Sequence, residues 1–268
     1  MTDTSKRDMW RSAENYDRYM GRWSRKVAPL FLGWLDEPGG EEWLDVGCGT
    51  GALSAAIVRD RDPRSLLGID FAPAFVTLAE RNVPDPRARF MAGDAQELPV
   101  DDNGFDAVVS GLMLNFVPDR TRALNEMSRV ARPGSRVAFY VWDYPGRGVG
   151  FQRAFWEVAC ELDPAALELN QETRYAFCTE EGLTRLARAG GWQDVEAEHL
   201  EAETVFEDFD DYWTPFTLGT GPAPKYCADL DIASRERLRA ALLERLPFEA
   251  DGSLRFLANA WAVRGRAV

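Results

Sequence analysis

The sequence predicts an α/β fold built on a largely parallel sheet. Short β-like runs alternate with helix-like runs over most of the length, and the first of them ends in a glycine cluster that opens directly into a helix. A third observation sets the scale. The 268 residues are 46% hydrophobic and 12% aromatic, ample for one packed core, which excludes disorder and low complexity as readings of the whole chain.

The strands are read in order. Glu42–Gly47 is apolar at Trp43, Leu44 and Val46, and Ser65–Asp70 carries Leu66, Leu67 and Ile69. Ala88–Ala92 is weaker, Phe105–Gly111 holds the β-branched pair Val108 and Val109, and Arg136–Trp142 is the fifth. A sixth spans Asp194–Phe206 and a seventh Leu254–Val263. Between them, Ala52–Arg59 follows the glycines and Pro73–Arg81 opens on a proline suited to a first helical turn. Asp119–Ala131 carries Leu124, Met127 and Val130 on one face and stops at Arg132-Pro133-Gly134. Thr179 can cap a helix whose first turn holds Glu180 and Glu181 and which Gly190-Gly191 closes. Ahead of the first strand, Tyr16, Tyr19, Met20, Trp23 and Val27 fall on one face of an amphipathic helix.

Two stretches break the alternation. Residues 143–177 are too long for a plain loop and call for a helix around Phe151–Leu162, and residues 207–252 hold a turn-rich start and a helix near Ser234–Leu246. With no internal repeat and no linker, the expectation is a single domain over 1–268, with 1–35 as an N-terminal helical cap and 207–252 as a lid-like insertion between the last two strands.

Charge and rare residues narrow the function. Lys and Arg total 31 against 44 Asp and Glu, a formal net charge of −13, so nucleic acid and anionic membrane surfaces are poor partners. No run approaches the roughly 20 apolar residues of a membrane span, and the polar start carries no signal-peptide core, which points to a cytoplasmic protein. Cys48, Cys160, Cys178 and Cys227 are scattered without metal-ligand spacing and read as reduced thiols. A single histidine, His199, rules out a His-rich metal site, and no metal is expected. His199 lies among acids in a strand that reads as a solvent-facing edge. Arg18, Arg22, Arg25 and Lys26 read as the solvated face of the first helix.

The chemistry gathers in Leu44-Asp45-Val46-Gly47-Cys48-Gly49-Thr50-Gly51. Closely spaced glycines permit positive φ and a close ligand approach, and the helix beyond offers unpaired N–H groups. Gly47, Gly49 and Ala52 also fit a dinucleotide pattern, with Asp70 standing 21 residues past Gly49 as a ribose-binding acid would. Against a dinucleotide stand the carboxylates. Asp45 ends a buried strand, Asp70 ends the second, and Asp94 follows the third in Gly93-Asp94-Ala95. Three acids would repel a pyrophosphate and attract a ligand bearing a sulfonium and an ammonium.

At these positions the sequence resembles the class I S-adenosylmethionine-dependent methyltransferases, in the small-molecule group related to ubiquinone and menaquinone biosynthesis. The matching residues are LDVGCGTG at 44–51, GID and Phe at 68–71, GDAQELP at 93–99, FDAVVS at 105–110 and RPGS at 132–135, in the family's order and spacing. The resemblance covers residues 40–142 and implies a Rossmann-like, seven-stranded, mostly parallel sheet with helices on both faces and an antiparallel last strand. It implies S-adenosyl-L-methionine as cofactor. Gly47, Cys48 and Gly49 would line its methionine part, and Asp45 would hold its amino group through water. Asp70 would accept from both ribose hydroxyls and Phe71 would pack on adenine. Asp94 would accept from the adenine amino group, with the Ala95 amide facing a ring nitrogen. Ser110 and Gly111 would border the methionine end. Tyr19 is expected to close over that end, more so than Trp23 or Ser24.

The expected reaction is an in-line displacement by an O-, N- or C-nucleophile of a small molecule, driven by proximity and exclusion of water. Many relatives carry histidines just after the fourth strand, where this chain has Leu112-Met113-Leu114-Asn115-Phe116. That leaves the base unassigned and favours a self-activating nucleophile, or a carboxylate or tyrosine such as Asp143 or Tyr144. Asn115, Trp142, Asp143, Tyr144 and Trp213 are the acceptor-pocket candidates. Asp106 reads as structural and Cys48 as a small residue that fits its loop. Two other readings stay open: a nicotinamide-dependent oxidoreductase using the same glycines, and a non-catalytic module on the methyltransferase fold. The acceptor's identity and the oligomeric state, a homodimer among the options, are not legible.

Overall fold

A computed structural model describes residues 13–146, 148–169 and 175–268. The first twelve residues of the expected cap, and 170–174 of the first long stretch, lie outside the described residues.

The chain opens with α1 (Ala13–Tyr16), a π-helical turn over Asp17–Gly21, and α2 (Arg22–Leu35). There follow β1 (Glu42–Val46), α3 (Ala52–Arg61), β2 (Ser65–Asp70), α4 (Pro73–Asn82), β3 (Ala88–Ala92), β4 (Phe105–Gly111), α5 (Arg120–Val130) and β5 (Ala131–Trp142). Then come α6 (Gly150–Leu162), α7 (Glu180–Ala189), β6 (Gln193–Phe206), α8 (Phe209–Trp213), α9 (Pro222–Asp229), α10 (Ile232–Arg245) and β7 (Leu254–Arg266). The cap read from sequence is in place, Thr179 accepting from the Gly182 amide, and Asp119 caps α5 by accepting from the Arg122 amide.

The strands form one seven-stranded sheet in the order β3-β2-β1-β4-β5-β7-β6. Parallel pairing runs from β3 to β5, and β7 is antiparallel to β5, with Arg136 opposite Arg266 and Trp142 opposite Ala260. β6 runs opposite to β7 in turn, as its side-chain rungs descend from Glu196–Arg264 to Glu203–Arg255. The register is pinned by burial. Trp43, Leu44 and Val46 are fully enclosed, and a one-residue slip would turn the strand's faces over. β5 is longer than expected. Its first residue, Ala131, pairs with Phe105, and the register shifts before Ala107 meets Arg136, so Pro133 and Gly134 sit in an irregular stretch rather than a break.

The chain leaves β1 for β2 and β3 on one side and returns to place β4 on the other. The carboxyl ends of β1 and β4 are therefore the switch point at which open α/β sheets bind ligands. At the opposite ends, Asp106 accepts from the Glu42 amide at 2.9 Å and pairs with Arg132, which also holds Glu42. Asp106 is structural.

The described chain divides into two compact units. One comprises Ser24–Trp142, Phe177–Leu200 and Ala260–Val268, and contains the glycine loop and the parallel strands. The other takes in the chain up to Trp23, Asp143–Ala176 and Glu201–Asn259. That second unit has its own aromatic core, in which Phe155 stacks on Phe216 at 4.3 Å and the Tyr212 hydroxyl donates to the Phe151 carbonyl at 2.9 Å. No helix among the described residues is long and apolar enough to cross a membrane.

Candidate functional site

β1 ends in a turn that only glycine makes cheaply. Gly47, Gly49 and Gly51 have φ of +73°, +54° and +88°. The Gly47 and Cys48 amides both donate to the Ile69 carbonyl, at 2.7 and 3.0 Å, and tie the turn to β2. The glycines differ in what surrounds them. A Cβ on Gly47 would overlap the Met113 side chain, whereas one on Gly49 would meet nothing within 4 Å among the described residues. The loop is packed on one side and open on the other.

Asp45 is fully buried in the register position beside Gly68. Its Oδ2 accepts from the Ser54 hydroxyl at 2.6 Å, while Oδ1 is buried with no hydrogen-bond partner. Burial, and next the charge of Asp70, push its carboxyl up to about 7, against the lowering effect of Ser54. Asp70 ends β2 facing the same loop. Its Oδ2 accepts from the Gly49 amide and its Oδ1 from the Ala72 amide, both at 2.9 Å. Burial raises its pKa, and the two amides oppose that. Among the described residues neither Asp45 nor Asp70 makes an ion pair, and no described cation neutralises the pair. Such a site suits a positively charged ligand and repels a pyrophosphate.

Asp94 shapes its own turn, accepting from the Gln96 amide at 2.9 Å, with Ala95 half-buried beside it. Phe71, directly after Asp70, is 52% exposed, which is unusual for a phenylalanine at a strand end. Cys48 is buried, and burial together with Asp45 and Asp70 pushes its thiol up, so it stays protonated and unreactive.

β4 delivers the other wall. Ser110 is fully buried with an unbonded hydroxyl, and a Cβ on Gly111 would press the Tyr140 hydroxyl. Leu112 then takes φ +60°, a left-handed conformation that costs a non-glycine residue roughly 1–2 kcal/mol, held by the hydrogen bond its amide donates to the Tyr140 carbonyl at 2.8 Å. That bend carries Met113 over Gly47 and leads into a short 3₁₀ turn, Leu114–Phe116. Within the turn Asn115 is 2% exposed, and its side-chain nitrogen has no acceptor. Trp142, buried, closes the end of β5.

Tyr19, Asp143, Tyr144 and Trp213 belong to the second unit. Tyr19 is buried between Phe151 and Phe216, at ring distances of 6.1 and 5.6 Å, and burial raises its hydroxyl's pKa. Asp143 accepts from the Gly146 amide at 3.1 Å, Tyr144 packs on Tyr175, and Trp213 stacks on Phe209. His199 lies on β6 at the sheet edge, its ring 5.1 Å from Trp261. Among the described residues no three His, Cys, Asp or Glu gather as a metal site. Sequence reasoning missed Ser54, Leu112 and Met113. A serine in a helix's first turn and two apolar residues after a strand carry no signal of their own until the glycine loop is folded against them.

The unbonded oxygen on Asp45, the open side of Gly49 and, among the described residues, the absence of a neutralising cation fit a cationic nucleoside. Comparison with known proteins agrees. Residues 44–139 match the family model described as a methyltransferase domain. The demethylmenaquinone methyltransferase of Roseiflexus sp. (strain RS-1) is 35% identical over 161 residues, covering 57% of this chain and 68% of that protein. The demethylmenaquinone methyltransferase of Clavibacter sepedonicus is 30% identical over 221 residues, covering 79% and 82%. Among solved structures, phosphoethanolamine N-methyltransferase 2 of Haemonchus contortus superposes with a TM-score of 0.57 at 16% identity, over 96% of this chain and 57% of that one, which is a likeness of fold. The chain belongs to the class I S-adenosylmethionine-dependent methyltransferases, in the branch related to quinone biosynthesis, and is an enzyme whose cofactor is S-adenosyl-L-methionine.

Proposed function

We propose that this methyltransferase acts on a small organic acceptor, a hydroxylated aromatic ring of the quinol type. The cofactor residues are assigned on the sequence motifs and the geometry together. Gly47, Cys48 and Gly49 line the methionine part, with Ser110 and Gly111 at its border. Asp45 holds the amino group through water, Asp70 takes the ribose hydroxyls, Phe71 covers the adenine, and Asp94 with the Ala95 amide meets its edge. The single observation that carries this is the unbonded Asp45 oxygen beside a glycine loop to which Asp70 is tied.

When bound, the cofactor supplies an electrophilic methyl group on a sulfonium. The protein's part is to hold a nucleophile in line with it in a site cleared of water. No imidazole stands in the stretch after β4, and His199 packs on Trp261. Asp143 is occupied in a turn and Tyr144 in a ring contact, both in the second unit. The acceptor is therefore one that needs no strong base, as an ionisable hydroxylated ring does not. Asn115, a buried amide with an unused donor, is the group assigned to orient its oxygen. The names of the two curated relatives support the ring class.

The test has two stages. S-adenosylhomocysteine should raise the melting temperature by several degrees and NADH should not; the reverse result overturns the cofactor assignments. Methyl-labelled cofactor should then label 1,4-dihydroxynaphthalene in preference to 1-aminonaphthalene. Transfer to the amine alone overturns the acceptor class.

A further inference from the structure

Ser54 is nine residues beyond Asp45, on the first turn of the helix that follows the glycine loop. Both side chains are fully buried, and the Ser54 hydroxyl donates to Asp45 Oδ2 at 2.6 Å. The Ser54 backbone amide also favours the ionised carboxylate. Gly51, the cap residue of that helix, has no side chain with which to accept from the first turn, and the Ser54 side chain there turns to Asp45 instead. The consequence lies at the other oxygen. With Oδ2 held by the Ser54 hydroxyl, the carboxylate is anchored on one side, and Oδ1 remains unbonded in a buried place. A carboxylate oxygen left so is costly unless something with a positive charge or a donor meets it.

We propose that Ser54 is a positioning residue of the cofactor site: its hydroxyl fixes Asp45 so that Oδ1 is presented, ionised, to the ammonium end of the cofactor. This rests on the reading that Asp45 serves that end. Facing Asp45 are Cys48 from the glycine loop, neutral as a protonated thiol, and Asp70 from the end of β2; burial and the Asp70 charge both disfavour ionisation of Asp45. Ser54 works against them. Removing its hydroxyl raises the Asp45 pKa further, so less of the carboxylate is ionised at neutral pH.

The experiment compares Ser54→Ala with wild type for two ligands that share the nucleoside. S-adenosylhomocysteine carries the amino-acid tail and 5′-methylthioadenosine lacks it. Calorimetry should show S-adenosylhomocysteine binding about tenfold weaker in the variant at pH 7, as expected for a lost hydrogen bond to a charged group, while 5′-methylthioadenosine binds within twofold of wild type. The rise of S-adenosylhomocysteine affinity with pH, centred near 7 in wild type, should move to higher pH in the variant. Unchanged 5′-methylthioadenosine binding also shows that the variant is folded. Equal losses for both ligands would make Ser54 a packing residue and overturn the proposal, as would an unmoved pH profile. Wild type that binds neither ligand overturns the cofactor assignments themselves, a different failure.

Discussion

The Gly49 backbone amide donates to Asp70 Oδ2 across 2.9 Å, which ties the acid at the end of β2 to the glycine loop at the end of β1. The Ala72 amide takes the other oxygen, so the carboxylate is fixed at both ends while each oxygen keeps a lone pair for a ligand. Asp70→Ala should lower S-adenosylhomocysteine affinity by about 100-fold, the loss expected when a charged acceptor of two hydroxyl groups disappears. Far-UV circular dichroism should be unchanged, because the carboxylate bonds only loop amides. Calorimetry decides, and unchanged affinity would remove Asp70 from the site.

Asp45 makes stability depend on pH in an unusual direction. Its folded pKa, raised chiefly by burial to about 7, lies above the unfolded value of 3.8, so the folded state holds the proton more tightly. The stability this contributes is complete below pH 3.8 and is lost as pH rises through about 7. Without ligand, melting temperature measured against Asp45→Asn should therefore fall between pH 5.5 and pH 8. Asparagine can still accept from Ser54 but cannot ionise, so it serves as the reference. The gap should reach about 2–4 °C, the shift that 1 kcal/mol produces in a chain of this size. Two parallel curves would mean that Asp45 titrates in its ordinary range.

Much of this was open to inspection in the residues alone, for a physical reason. Strands whose ends coincide with a change of chemistry, such as Ile69-Asp70 or Gly111, were placed to the residue, because buried alternation and a polar or glycine stop act in the same place. β5 began earlier than its sequence suggests, since a bulge lets the irregular Arg132–Ser135 segment stay in the sheet. The π-helical turn at Asp17–Gly21 was hidden for a related reason: an inserted residue leaves the spacing of Tyr19, Met20 and Trp23 looking helical. In the site, the residues that show in sequence are those whose type is unusual for their place, Asp45 above all. Ser54 and Met113 are ordinary for theirs and matter only through what they touch.

Gly47 and Met113 are coupled by space. Gly47→Ala places a side chain on a residue at φ +73° and into the Met113 side chain, so it should cost about 2–3 kcal/mol of stability. Adding Met113→Ala removes the overlap but leaves the backbone strain. The double variant should recover about 1 kcal/mol of the loss, a coupling typical of touching residues. Chemical denaturation of the four proteins in the cycle measures it, and additive losses would show that Met113 does not constrain Gly47.

Asn115 separates acceptor from cofactor. It is buried two residues past Met113, its side-chain nitrogen makes no hydrogen bond among the described residues, and its backbone carbonyl accepts from the Arg120 side chain at 3.3 Å. Leu is close to Asn in size and carries no donor, so Asn115→Leu removes the hydrogen bond without opening a cavity. If the amide orients the acceptor's oxygen, kcat/KM for 1,4-dihydroxynaphthalene should fall by about 10- to 100-fold, the effect of one lost hydrogen bond to an oxygen that carries charge. Affinity for S-adenosylhomocysteine should stay within twofold. The two readouts also distinguish the alternatives. A variant that loses cofactor affinity as well places Asn115 against the methionine end, beside Ser110. One that keeps both affinity and turnover leaves the amide a structural feature of the Leu112 bend, and the acceptor must then be oriented from elsewhere.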